Sequence, residues 1–511
     1  MAVFIFYIIS VLIVTYSQRN HTLQGVFKPT KKVSWLVSGI SLFMLLLSVD
    51  QGQLLTGIVA QHGMSGLWFI WAGYLGGFVV PLVFAPLWYK LNLQTDNQFV
   101  LFRYPGKSGI ALHRFRAIYV GLLVVSLVVC FHLIGFARVV QVFYHIDNLN
   151  SLLISGLIII LFALKNLLDI KFRLDVLHAF LFFFSICIIG YFVGNKILEG
   201  SSWLGYFEAN PDKKNLIPNT NESWFMVLVY IGIQWWSCNL FDGGGAETSR
   251  FSAVKSPRDA IKAGLTPVVI SFVLSFFMIG HILALLSFEG GKHGEISYVN
   301  SIFNLIPGFW RDVVFIGFFA MFITTTESLI NWGASFLIVD TWKGWIRPNA
   351  SEKEINFLSF FAMVFLCLCA IGIAINIENL QQLIKITFSI SAGVAPVFIL
   401  RWIWFRINAW SQLIAMLCSG VITLAYPMIH AFGPLNNYPM EESRIIAVTI
   451  LTSLSWILVT LLSKKEPEEV KIKMLPIISS TSNLLSRLFF AFLLGILLVF
   501  STVSIWYCLL K

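Results

Sequence analysis

The residues of this chain that could do chemistry lie inside apolar runs. Thr324-Thr325-Thr326-Glu327-Ser328 interrupts a hydrophobic stretch over 312–342. Thr hydroxyls on a helix can bond back to the preceding turn, yet three in succession followed by Glu and Ser exceed what back-bonding requires. Adjacent hydroxyls and freed carbonyls make a neutral oxygen cage. Such a cage suits a weakly held monovalent cation better than Mg²⁺ or Ca²⁺, which favour carboxylates. Ser48-Val49-Asp50-Gln51-Gly52-Gln53 breaks a Leu-rich run over 33–60. Apolar residues resume at Leu54, as they would in a second half-helix; a plain helix end is the alternative. The stretch from Asn239 through Asp242 and Gly243-Gly244-Gly245 to Thr248 follows the aromatic pair Trp235 and Trp236. Each Gly in a helix interior costs about 1 kcal/mol relative to Ala, so the chain unwinds there or its helix ends at Asp242. A triple Gly can cradle phosphate, but no GxxxxGK[ST] surrounds it. Asp175 stands four residues after Lys171. It reads either as a helix N-terminal carboxylate favoured by the dipole or as a station on a cytoplasmic ion exit path.

The composition says what must position these groups. Of 511 residues, 58% are hydrophobic and 12% are charged, against roughly a quarter charged in a soluble domain. Mean hydropathy is +0.82. That excludes a soluble enzyme, a nucleic-acid binder and a disordered chain. A bilayer core takes about 20 apolar helical residues per span. Fourteen such runs are expected, at 1–17, 33–60, 66–89, 115–144, 147–165, 174–198, 224–246, 264–288, 312–342, 354–377, 380–400, 407–430, 444–463 and 485–509. The first has no basic leader and no small-residue cleavage site, so it reads as a retained helix. With alternating sides, 26 Lys and Arg fall on one face and seven on the other. The positive-inside rule makes the first face cytoplasmic and both termini non-cytoplasmic. It also accounts for the net charge of +10 without nucleic acid. Arg138 and Lys385 lie within spans and can snorkel. The seven cysteines sit in apolar runs with no CxxC, so neither disulfides nor zinc are expected. No convergent His/Asp or Ser/His pair is evident at a membrane face, which argues against an enzyme. No obligate protein partner is evident; lipid and a small-molecule solute are the expected ones.

Polar groups at membrane depth are costly and mark cavities and ion paths. The two breaks fall in the second and seventh spans, five apart. An odd offset inverts one set of five helices relative to the other, the pattern of inverted-repeat transporters with a site between discontinuous helices. The expected fold is an all-α polytopic membrane protein with a leucine-transporter-like five-plus-five core. Repeat one covers 33–198 and repeat two 224–404. One helix and its loop (1–32) precede them and three helices (405–511) follow. Residues 1–511 then form a single membrane transport domain.

Five segments, in order, resemble the sodium:solute symporter family of sodium-coupled sugar, proline, pantothenate and sialic acid carriers. Thr324 to Ser328 with Val339-Asp340-Thr341-Trp342 looks like that family's Ser-Thr-Ala-Asp-Ser … Asp-Ile-Tyr helix. Ser249-Arg250-Phe251-Ser252-Ala253-Val254-Lys255-Ser256 resembles its Gln-Arg … Ala-Lys-Ser loop, and Leu174-Asp175-Val176-Leu177-His178 its Thr-Asp-Val-Ile-Gln. Ala395-Pro396 through Asn408, and Thr95 to Tyr104, resemble two further stretches. The resemblance implies a bacterial inner-membrane symporter that couples Na⁺ to a small polar organic solute. It implies a sodium site from the hydroxyls of Thr324 and Thr325 and the carbonyls of Met44, Leu47 and Met321. Asp175, with Glu327 and Ser328, would line the inward ion path. Solute would meet Ser48, Asp50, Gln51, Trp71, Trp235, Asn239 and Asp242. Two positions depart from the sugar carriers: Ile70 stands where they place a Glu, and Leu46 where they place an Asn. Both speak against a sugar or polyol held by those groups. A proton-coupled carrier or uniporter on the same fold is the alternative, with Glu327 and Asp50 as proton sites; a transporter-like sensor is a further one.

Overall fold

A computed structural model describes residues 32–163, 168–238, 242–288, 294–377, 379–479 and 484–511. Within them, regular structure is helical throughout. That follows from the solvent: lipid cannot satisfy backbone N–H and C=O groups, and a helix satisfies its own. The order is α1 (Trp35–Leu46), α2 (Gln51–His62), α3 (Met64–Leu91), α4 (Gly106–Tyr144), α5 (Asn148–Ala163), α6 (Leu168–Leu198), α7 (221–237), α8 (Thr248–Ala253), α9 (Pro257–Phe288), α10 (Ser297–Leu305), α11 (Gly308–Ile346), α12 (Glu352–Ala374), α13 (Leu380–Leu400), α14 (Ala409–Phe432), α15 (Met440–Leu462), α16 (Glu468–Ser479) and α17 (Leu484–Leu510). Among the described residues, ten helices are long and apolar enough to cross a membrane, and α1 with α2 makes an eleventh if counted as one span. The expected run 1–17 lies outside the described residues. That at 147–165 appears as a shorter apolar helix, and that at 224–246 is helical over 221–237.

The centre of the bundle is α11. The apolar window of this helix is 94% buried, against 22% for α17 at the periphery. Around α11 pack α1, α4, α6 and α12. The α1/α2 pair bends by 50° at a gap of four residues, Leu47 to Asp50. Helix resumes at Gln51, so Gln51, Gly52 and Gln53 belong to the second half-helix and not to the break. Two glycines permit the crowding there. A Cβ on Gly135 of α4 would lie 2.6 Å from Asp50 Cβ, and one on Gly52 would lie 2.3 Å from the ring of Tyr298. Gln53 then reaches across, with Nε2 donating to the Gly135 carbonyl at 2.8 Å.

Several cations that the sequence assigns to loops are buried. Arg103, Arg116, Lys171, Arg250 and Arg401 are each at most 4% exposed. Lys171 lies within α6, since that helix starts six residues before Leu174. Arg138 and Lys385 do not snorkel. Arg138 pairs with Glu295 at 2.6 Å and Lys385 with Glu442 at 2.7 Å. A partner inside the protein compensates the charge more directly than a reach to the interface.

Candidate ion site and inward polar cluster

The break in α1/α2 faces the Thr run of α11. Leu47 and Ser48 are non-helical, which frees the carbonyls that a continuing helix would use. Thr325 Oγ1 lies 3.0 Å from the Met44 carbonyl oxygen and 2.7 Å from that of Leu47. Three of the five expected ion ligands therefore converge, from two helices, in a fully enclosed spot. Met321 is one turn earlier on α11 and 5% exposed. Thr324 differs. Its hydroxyl lies 2.5 Å from His178 Nδ1 on α6, and its carbonyl accepts from Ser328 Oγ at 2.8 Å and from Lys171 Nζ at 3.2 Å. The reason is helical rotation: Thr324 and Thr325 are about 100° apart on α11, so one faces α6 and the other faces the break. Thr326 Oγ1 is buried with no hydrogen-bond partner.

Directly beside the cage is a charged cluster. Lys171, Asp175 and His178 share one face of α6 by their i, i+4, i+7 spacing. Lys171 Nζ lies 3.3 Å from Glu327 Oε2 and 3.8 Å from Asp175 Oδ1. Asp175 Oδ2 accepts from Ser41 Oγ of α1 at 2.5 Å and is 3.9 Å from Arg250 Nη2. Arg250 also donates to Ser328 Oγ at 2.9 Å and to Ser41 Oγ at 3.3 Å. Asp175, Glu327 and Ser328, read from sequence as an ion path, are thus brought together. Lys171, His178, Ser41 and Arg250 were missed as members. The signal for the first two was the α6 face just described. Arg250 stands in the family-like loop Ser249 to Ser256, but no role followed from that likeness, and Ser41 arrives only by tertiary packing.

At the break, Ser48 Oγ contacts Asp50 Oδ1 and lies 2.7 Å from His132 Nδ1, and that nitrogen is 3.1 Å from Asp50 Oδ1. A Ser, a His and an Asp converge here, at the helix break inside the bundle and not at a membrane face. One ring nitrogen serves both partners, whereas a nucleophilic relay needs the serine and the acid on opposite nitrogens. The arrangement orients the break and is no catalytic triad. Gln51 lines a small cavity with Ser48, Ser185, Tyr298, Phe318 and Met321.

The other expected solute residues do not join this cavity. Asp242 is fully buried elsewhere, and its carboxylate is engaged by several donors. Oδ2 accepts from Arg401 Nη2 at 2.6 Å, Arg401 Nε at 3.2 Å and Trp402 Nε1 at 2.7 Å, and Oδ1 accepts from the Gly244 N–H at 3.2 Å. Its backbone carbonyl takes Trp88 Nε1 at 2.6 Å. The carboxylate bonds tie Asp242 to the segment just after α13, with most of its acceptor capacity engaged on Oδ2. Gly243 and Gly245 have φ of +71° and +132°, so the Gly run turns the chain into α8. Trp71 is wholly enclosed in the core, edge-on to Trp68. Trp235 packs on Trp236 and on Phe492 of α17. Asn239 lies outside the described residues.

The profile of the sodium:solute symporter family matches residues 27–419. Over 154 residues the chain is 27% identical to the sodium/proline symporter of Haemophilus influenzae, a match that spans 30% of this chain and 30% of that relative's length. Over 447 residues it is 20% identical to the sodium/glucose cotransporter of Vibrio parahaemolyticus, covering 81% of each. Among solved structures, the substrate-bound outward-open state of a Na⁺-coupled sialic acid symporter superposes with a TM-score of 0.70 at 15% identity. That match covers 91% of this chain and 98% of the other. At such identity the likeness is one of fold.

Proposed function

The chain belongs to the sodium:solute symporter family, and from that premise we propose that it is a secondary active symporter importing a small polar organic solute with Na⁺ by alternating access. The observation that carries this is the meeting of Thr325 Oγ1 with the Met44 and Leu47 carbonyls at the break. Na⁺ binds there with Met321 and Thr324 completing its shell. The residues present fit the ion: neutral oxygens, enclosed, from two helices that the ion would tie together. Solute lies in the cavity beside Ser48 and Gln51, with Asp50 set behind it against Ser48 and His132. Na⁺ binding orders the break, the loaded bundle rocks inward, and the ion leaves past Asp175, Glu327 and Ser328. Each Na⁺ moving down a potential of ~100 mV supplies about 2.3 kcal/mol.

The core is two inverted repeats, 33–198 and 224–404, with 1–32 before them and 405–511 after, in the bacterial inner membrane with both termini outside. The departures at Ile70 and Leu46 speak against a sugar held by those two positions. The cavity at the break offers one amide, two hydroxyls and a phenol among apolar walls. We read the solute as a small amphipathic one whose polar end meets the Gln51 amide and whose apolar part meets the surrounding apolar walls.

A proton-coupled carrier on the same fold is the second reading, favoured by the His132–Asp50 contact at 3.1 Å. Uptake of candidate solutes into proteoliposomes separates the two. Accumulation driven by a Na⁺ gradient at clamped pH on both sides supports the first; accumulation driven only by a proton gradient in Na⁺-free buffer overturns it.

A further inference from the structure

Lys171 is 4% exposed and sits where a cation path is proposed. Its ammonium lies 3.2 Å from the Thr324 carbonyl oxygen, 3.3 Å from Glu327 Oε2 and 3.8 Å from Asp175 Oδ1. The groups around it are Asp175 and His178 from its own helix, Glu327 from α11 and Arg250 from α8. From α1 comes only the uncharged Ser41, bound to Asp175. Two carboxylates therefore face two cations. With Lys171 these four side chains are formally neutral; without it they carry one net negative charge. Thr324, which Lys171 holds, is next along α11 to Thr325 of the cage.

We infer that Lys171 is a tethered cation built into the ion site. Its ammonium occupies the oxygens and the carboxylate field that Na⁺ at the Met44–Leu47–Thr325 cage would otherwise draw on. This rests on Na⁺ binding at that cage. Inside a water-poor bundle, a positive charge held on Thr324, the residue next to the cage, repels a bound cation more strongly than it would in water. Lys171 thereby keeps Na⁺ affinity low and favours departure of the ion past Asp175.

The test is a Na⁺ titration of the purified full chain in detergent, at constant ionic strength with choline, read by tryptophan fluorescence. Lys171→Met is expected to lower the half-saturating Na⁺ concentration by roughly tenfold or more. Lys171→Arg keeps the charge and is expected to stay near wild type. Glu327→Gln shifts the balance the other way and is expected to weaken Na⁺ by a similar factor. It also carries the test if Lys171→Met does not yield monodisperse protein. The double variant Lys171→Met with Glu327→Gln is neutral again and is expected near wild type. Unchanged or weaker Na⁺ binding by Lys171→Met, or an unmoved half-saturation in Glu327→Gln, would overturn the inference. Thr325→Val separates the two ideas. If it binds Na⁺ like wild type, the cage itself is misplaced; if it weakens binding while the Lys171 and Glu327 variants do nothing, the cage stands and the tethered cation falls.

Discussion

Thr325 on α11 and Leu47 at the end of α1 are 278 positions apart in sequence, and the hydroxyl of one lies 2.7 Å from the carbonyl of the other. The contact exists because α1 stops at Leu46. One more helical turn would have claimed the carbonyls of Met44 and Leu47 for its own ladder. Replacing Thr325 by Val keeps the shape and removes one oxygen. Leaving a buried ligand set short by one group costs about 1–3 kcal/mol. The Na⁺ concentration for half-maximal uptake is therefore expected to rise roughly 5- to 150-fold. Thr325→Ser keeps the hydroxyl and is expected to be nearly silent. Thr326→Val removes a hydroxyl that has no partner, so Na⁺ dependence should be untouched. Loss of Na⁺ dependence in Thr326→Val alone would put the cage in a different register.

His178 and Thr324 make a second prediction. The Thr324 hydroxyl meets His178 Nδ1 at 2.5 Å, so it can join an ion shell only by turning from α6. Thr324→Val removes the hydrogen bond between His178 Nδ1 and this hydroxyl inside the bundle. Thermal unfolding in detergent is expected to report a loss of about 1–3 kcal/mol, which Thr325→Val should show less. Thr324→Ser should restore both stability and Na⁺ response. If Thr324→Val is as stable as wild type, the His178 contact is not formed in the membrane.

The membrane class, the span positions in the second half and the broken first helix were legible because each rests on local pattern. Leu-rich runs of span length and the polar interruption at Ser48 to Gln53 need no knowledge of neighbours. The ligand carbonyls of Met44 and Leu47 came through the family resemblance, since backbone oxygens leave no mark in side-chain chemistry. Asp242 shows what local pattern cannot supply. An Asp before three Gly after two Trp looks like a site, and only packing reveals that Arg401 and Trp402, about 160 positions later, consume its carboxylate. Lys171 was hidden differently. At the edge of an apolar run it reads as a loop charge, and a helix start earlier than expected turns it inward.

Sidedness is testable without any solute. On a background with the seven cysteines replaced by Ser, Lys465→Cys is expected to react with a membrane-impermeant maleimide only after the cells are opened. Asn215→Cys, which is exposed, and Lys511→Cys are expected to react in intact cells. Labelling at position 465 from outside would reverse the orientation and with it the direction of the proposed ion exit.

Gln51 and Asp242 should part company on substitution. Gln51 lines the cavity at the start of α2 and is partly exposed, with no structural bond that its loss would orphan among those described. Gln51→Ala should therefore weaken solute binding while melting temperature stays close to wild type. Losing one hydrogen bond to solute is worth about 0.5–1.5 kcal/mol, or 1.5–3 if the solute group is charged. Asp242→Asn does the reverse. It leaves Arg401 enclosed and uncompensated, and breaking a buried pair on one side costs about 3–5 kcal/mol. Expression and melting temperature should fall sharply, and the fraction that folds should bind solute with wild-type affinity. Asp242→Asn with Arg401→Gln removes both charges and is expected to recover part of the loss. Calorimetry with a transported solute on the monodisperse fraction decides it. An Asp242→Asn protein that melts normally but binds solute poorly would return Asp242 to the solute site.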